Sequence, residues 1–235
     1  MQWNNAMTQE KKYPSTIAID GPAASGKSSV GKIIADKMNY RFLDTGAMYR
    51  AVTYAVIQKG IDVDNEQLVG DVAEAISIDV RKKADSPECS YDIFINSQKV
   101  TEQLKSAAVN QLVSQVSRYK RVRTAMTAQQ KLIGKTGAIV MAGRDIGTVV
   151  LPDADIKIYL EATPQERARR RFEEEKAKGK SASYEDILQN VQMRDEIDST
   201  REIAPLKMAS DAHIINTDAK NIEQVAAEII HIISK

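Results

Sequence analysis

The sequence holds one cysteine, Cys89, and two histidines, His213 and His231, in 235 residues. A lone cysteine excludes an internal disulfide, and no combination of these three residues has metal-ligand spacing, so all three read as structural or solvent-exposed. No apolar run approaches the length that spans a bilayer, and the N-terminal stretch lacks the apolar core of a signal peptide. A cytoplasmic protein with no membrane partner is expected. The formal net charge of +1 leaves no global surplus to draw nucleic acid or anionic lipid. A guanine-reading N-K-x-D motif is also missing. Residues 1–14, "MQWNNAMTQEKKYP", are polar and aperiodic, and a disordered extension is expected there.

What is present is an ordinary composition, 43% hydrophobic and 28% charged, in a chain long enough for one sizeable core with smaller lobes. Strand-like segments at 16–20, 41–44, 138–142, 156–160 and 213–216 alternate with helical patterns. This predicts an α/β fold with a parallel sheet flanked by helices and ligands at the carboxyl ends of its strands. Residues 76–100 break the alternation with short runs and turn signals at Asp85-Ser86-Pro87 and Asn96-Ser97, the pattern of a small antiparallel sheet in an inserted lobe.

The most specific signal is "GPAASGKS", residues 21–28, between an apolar strand and a helix whose apolar face carries Val30, Ile33, Ile34 and Met38. It matches G-x-x-x-x-G-K-S, a loop whose backbone N–H groups cradle polyphosphate. Gly21 and Gly26 permit the turn and close approach, Lys27 reaches the outer phosphates, and the Ser28 hydroxyl joins a magnesium ion. Gly21, Ala23, Ala24, Ser25, Gly26, Lys27, Ser28 and Ser29 are thus the expected contacts to a nucleoside triphosphate, with Mg2+ at Ser28.

Arginine recurs around this loop. "TPQERARRRFEEEKAKGK" opens with a capped helix start at Thr163-Pro164, and Arg167 and Arg171 share a face. Beside a triphosphate this reads as an arginine-rich lid, the alternative being a solvated helix laced with Arg–Glu pairs. Arg194, Asp198 and Arg201 follow at i, i+4 and i+7, which puts two guanidinium groups around a carboxylate on one helix face. Arg144 and Asp145 of "GRD", and the stretch "DTGAMYR", stand at the ends of apolar strands. The surplus of arginine suits a second anionic substrate and favours phosphoryl transfer over hydrolysis by a switch or motor. Kinases of CMP, UMP, AMP or shikimate all remain open on these grounds.

Five stretches in order, "GPAASGKSS", "LDTGAMYR", "SQVSRYKRVR", "AGRDIGTVV" and "RDEIDSTREIAPL", resemble bacterial cytidylate kinases, nucleoside monophosphate kinases, over nearly all of the chain from Ser15. The resemblance implies a P-loop core (15–44, 118–163, 203–235), an enlarged monophosphate-binding lobe (45–117) and a helical lid (164–202). It implies transfer of the ATP γ-phosphoryl to CMP or dCMP by a monomer. Carried onto this sequence, Thr45, Tyr49 and Arg50 line the monophosphate pocket, Ser114, Arg123 and Asp145 face cytosine, and Arg144 and Arg194 face the phosphates. Asp198 holds the ribose with Arg201 nearby. Lys27, Arg144, Arg194 and Arg171 are the expected catalytic cations, and Arg167 and Arg171 are expected on ATP. Thr45 stands where some relatives have serine, a change that keeps the hydroxyl.

Overall fold

A strand whose two faces are both buried reads as a near-continuous apolar run, and β1 (Thr16–Asp20) is such a strand through Ile17, Ala18 and Ile19. In the computed structural model, which describes residues 13–82, 91–179 and 181–234, β1 is central in a five-stranded sheet. Its neighbours are β2 (Arg41–Asp44), β6 (Ile139–Gly143), β7 (Ile156–Glu161) and β8 (His213–Asn216), in the order β2-β6-β1-β7-β8. Every pairing is parallel, for example Ile17 with Val140 and with Ile156. Side chains alternate between two cores. Ile17, Ile19, Phe42, Val140 and Ala142 pack with α1 (Lys27–Lys37) and α8 (Ile222–Ile233). Ala18, Leu43, Ile139 and Met141 pack on the other side with α2 (Thr45–Gln58), α3 (Glu66–Ala75), α4 (Ala107–Val116) and α5 (Lys120–Gly134).

The break in periodicity at 76–100 is a second sheet of β3 (Ile78–Lys82), β4 (Tyr91–Ile95) and β5 (Gln98–Lys99), all antiparallel. Asn96 and Ser97 close the β4–β5 hairpin with φ of 47° and 71°, the left-handed pair that matches strand twist in two-residue turns. Tyr91 fastens this sheet to the core: its hydroxyl donates to the Tyr40 carbonyl (3.2 Å) and accepts from the Phe42 amide (2.8 Å). The expected turn at 85–87, Cys89 and residues 1–12 lie outside the described residues. Pro14 is placed, and its carbonyl accepts from the Tyr40 hydroxyl at 2.6 Å.

The region expected to form a lid holds α6 (Pro164–Ala177) and α7 (Tyr184–Thr200). Thr163 caps α6 by accepting from the Glu166 amide (3.3 Å), and proline starts the helix as the sequence predicts. The strand expected at 138–142 begins one residue later, because Ala138 has a φ of 47° outside the ladder.

Candidate active site

The loop after β1 turns directly into α1, so the first amides of the helix face the same concavity as the loop. Gly21 has a φ of +147°, and a Cβ there would stand 2.3 Å from the Leu160 carbonyl oxygen, so only glycine fits. Gly26 is required for another reason. A Cβ would meet nothing of the protein within 4 Å, but its φ of +92° as the N-cap of α1 is a conformation that other residues adopt only under strain. Lys27 is buried, and its ammonium donates to the Pro22 carbonyl and, at 3.2 Å, to the Ser25 hydroxyl. Burial, then the neighbouring Arg144, holds its pKa well below the ordinary lysine value. The Ser28 hydroxyl donates to Asp44 at 2.5 Å, and the other oxygen of that carboxylate caps α2 through the Gly46 amide at 3.0 Å. A hydroxyl and a carboxylate held this close are two hard oxygen donors of the kind magnesium takes.

From the loop, a cavity of about 770 Å3 runs between α6 and the start of α8. The residues 23–30 form its floor, Arg144, Arg171 and Arg194 its inner wall, and Thr217, Asn221, Ile222 and Val225 its far end. Gly21 lies behind the loop, outside the lining.

All ten residues expected around the acceptor line one further cavity of about 80 Å3: Thr45, Tyr49, Arg50, Ser114, Arg123, Arg144, Asp145, Arg194, Asp198 and Arg201. At its base Arg123 and Asp145 form a buried pair, Nη2 to Oδ2 at 2.7 Å, with side chains 3% and 6% exposed. The Arg123 guanidinium lies 5.3 Å from the centre of the Tyr49 ring. Arg201 bridges Asp145 (3.6 Å) and Asp198 (3.4 Å), and Arg144 Nε donates to Asp198 at 2.7 Å. Burial pushes the Asp198 carboxyl up, but Arg144, Arg201 and Arg194 together hold it below the usual carboxylate value. Arg123 Nε and Arg201 Nη2 are buried without hydrogen-bond partners among the described residues, donors the fold itself leaves open. Arg201 caps the C-terminal end of α7 instead of lying on its face, because the chain turns away there and its Nε bonds the Ala204 carbonyl at 2.7 Å.

Gly46, Arg50, Arg144 and Arg194 line both cavities and mark their junction. Arg194 is pushed down to about 10 by burial and by crowding with Arg144 and Arg171. Arg50 is lowered by burial, with Asp44 opposing and Arg171 and Arg144 adding to the shift. Cations packed against one another in this way favour an anion between them.

The lid arginines divide. Arg171 lines the cavity beside the glycine loop. Arg167 does not, and the expectation that it meets the nucleotide is corrected. It is 2% exposed, with both Nη atoms on Asp195, Nη1 on the Ala23 carbonyl (3.1 Å) and Nε on the Ala162 carbonyl (3.0 Å). It ties the lid to the loop. The residue between turns, Arg170, lines the cavity instead while bonded to Glu166 and Thr217. Three acidic or polar positions escaped the sequence reading. Asp44 is visible in hindsight as a strand-end carboxylate before a hydroxyl residue, Asp20 as the residue before Gly21, and the Thr217–Asn221 loop carries no motif.

The family profile described as cytidylate kinase matches residues 17–235. The chain is 45% identical over 226 residues to the cytidylate kinase of Bacillus licheniformis, covering 96% of this chain and 98% of that one. It is 44% identical over 214 residues to that of Clostridioides difficile, covering 91% and 95%. The glycine-lined cradle and the arginine-rich cavity beside it thus lie inside a match that runs the length of the chain, and the protein belongs to the cytidylate kinase family.

Proposed function

We propose that the protein transfers the γ-phosphoryl group of ATP to CMP and dCMP, giving ADP with CDP or dCDP. The observation that carries this reading is the buried Arg123–Asp145 pair at the base of the arginine-rich cavity, in a chain of this family. Cytosine presents an acceptor at N3 and an amino donor at N4, and uracil presents the reverse. Arg123 donates toward O2 and N3, and Asp145 with Ser114 accepts from the amino group. Uracil there would face a carboxylate with a carbonyl, a mismatch of about 1–3 kcal/mol for each unpaired group.

Asp198 and Arg201 hold the ribose, and Arg50, Arg144 and Arg194 hold the acceptor phosphate. Thr45 and Tyr49 complete the wall. The loop amides from Ala23 to Ser29 hold the β- and γ-phosphates, and Arg171 closes over them. Lys27 stands where charge develops on the transferring group. No general base is needed, since the attacking phosphate oxygen is already an anion at neutral pH, and the work of the site is alignment and charge stabilisation. Ser28 and Asp44 would hold magnesium, which would supply positive charge to offset that of the phosphates. Closure of the lid over both substrates excludes water as the competing acceptor. We further propose a soluble cytoplasmic monomer; no described helix is long and apolar enough to cross a membrane.

An ADP-release assay with CMP, dCMP, UMP, AMP and shikimate tests the reading. CMP and dCMP should exceed UMP in kcat/KM by about tenfold or more. Equal rates for CMP and UMP, or a preference for AMP or shikimate, would overturn it.

A further inference from the structure

The chemistry assigned above leaves one buried carboxylate at the centre of the sheet without a part. Asp20 ends β1, directly before Gly21, and is 4% exposed. Its two oxygens accept from the amides of Ile146 (2.8 Å) and Gly147 (2.7 Å). These are the first two residues of a single π-helical turn, Ile146–Val150, that follows Arg144 and Asp145. Such turns are rare and recur at functional sites. Here the turn leaves its first amides unpaired within itself, and Asp20 satisfies both. Asp145 stands just before the turn at φ −141° and ψ 27°, and its carbonyl accepts from Val149 (2.9 Å) and Val150 (3.2 Å). The carbonyl end of Asp145 is therefore fixed by the turn that Asp20 anchors. A Cβ on Gly147 would lie 3.3 Å from Asp20 Oδ2 and 3.2 Å from Lys157 Cδ, so the turn is pressed onto this carboxylate.

We infer that Asp20 is a positioning residue for acceptor-base selection: it ties the strand that carries the phosphate loop to the turn that aims Asp145 at the base. The inference rests on the proposed reading of the base by Asp145. It requires the two-oxygen, anionic acceptor. An amide presents one acceptor to two N–H donors, and a protonated carboxyl presents one full acceptor and one weakened hydroxyl oxygen, so in either case the turn is held less firmly at one anchor.

Burial, opposed by the Gly147 and Ile146 amides, pushes Asp20 up to about 6. Asp145 faces it from the turn and raises it, Lys27 faces it from α1 and lowers it, and Lys157 and Tyr159 flank it from β7. A titration in an accessible range gives a readout that needs no substitution.

The test compares kcat/KM for CMP and UMP between pH 5.5 and 8 in the parent protein, Asp20→Asn and Asp145→Asn, with KM for ATP as the control. The phosphate titration common to both acceptors cancels in the ratio. In the parent, the CMP to UMP ratio should fall as pH drops through about 6. Asp20→Asn should lower the ratio about tenfold at pH 8 and make it independent of pH, with KM for ATP nearly unchanged. A parent ratio flat with pH, or an Asp20→Asn variant that keeps the parent ratio and slope while Asp145→Asn narrows it, would overturn the role of Asp20 alone. If Asp145→Asn keeps the parent ratio, the base reading fails and this inference with it. A uniform loss for CMP, UMP and ATP in Asp20→Asn would mark a structural role and also overturn it.

Discussion

Lys27 is held against its own solvation: the fold buries it beside Arg144 and offers it loop oxygens in place of water. Its charged form is therefore disfavoured by the folded state until a phosphate enters. Lys27→Ala should lower turnover about a hundredfold or more, as for loss of a group aimed at developing charge, while the thermal midpoint stays level or rises. A turnover within a few-fold of the parent would remove Lys27 from the chemistry. Arg194 makes no hydrogen bond or close ion pair among the described residues, so its removal breaks no direct polar contact of the fold and takes only its longer-range attraction for Asp198. Arg194→Ala should raise KM for CMP and lower kcat, with ATP affinity measured without acceptor changing much less; equal losses for both ligands would count against its placement. Single residues also mark the limit of the sequence. The i, i+4 spacing puts Arg167 and Arg171 on one face, but whether a guanidinium on that face meets a cavity or a carboxylate depends on Asp195, 28 positions away from Arg167. No local pattern carries that.

Elements were far more legible. Strands β1 and β2 stand where short apolar runs predict them, because strands covered on both faces need apolar side chains at successive positions, and β8, at the edge, stands at its predicted place with only Ile215 buried. The spacing gave the strand-end pair Arg144–Asp145, the strand-end stretch "DTGAMYR" and the α7 face of Arg194 and Asp198; the resemblance to cytidylate kinases supplied the other residues expected around the acceptor, and all of the expected residues line a single cavity. What could not be read is how α6 and α7 fasten to the loop. Two kinds of ion pair occupy α6. Arg169 pairs with Glu166 and Glu173 in solvent, its side chain 52% exposed, whereas Arg167 pairs with Asp195 in the interior. Exposed pairs contribute little, and a buried guanidinium left without its partner is costly. Denaturant titration should find Asp195→Ala destabilised by about 3 kcal/mol and Arg169→Ala by less than about 1 kcal/mol. Similar small losses for both would mean that the Arg167 pair does not hold the lid to the loop.

Across the whole molecule the net charge of +1 conceals a strong local imbalance. Arg50, Arg144, Arg171 and Arg194 gather with Lys27 about one junction, and their mutual crowding is relieved only by anions. ATP with magnesium should therefore raise the melting temperature, and CMP added with a non-hydrolysable ATP analogue should raise it further, since ligands that bind only the folded state stabilise it by mass action. On this reading the cleft passes a phosphoryl group between two nucleotides instead of giving it to water. Phosphorus NMR of a mixture of ATP, magnesium, CMP and the protein tests it most directly. The two resonances of CDP should grow in step with those of ADP while inorganic phosphate stays minor. Growth of inorganic phosphate in step with ADP, with CMP unchanged, would contradict it.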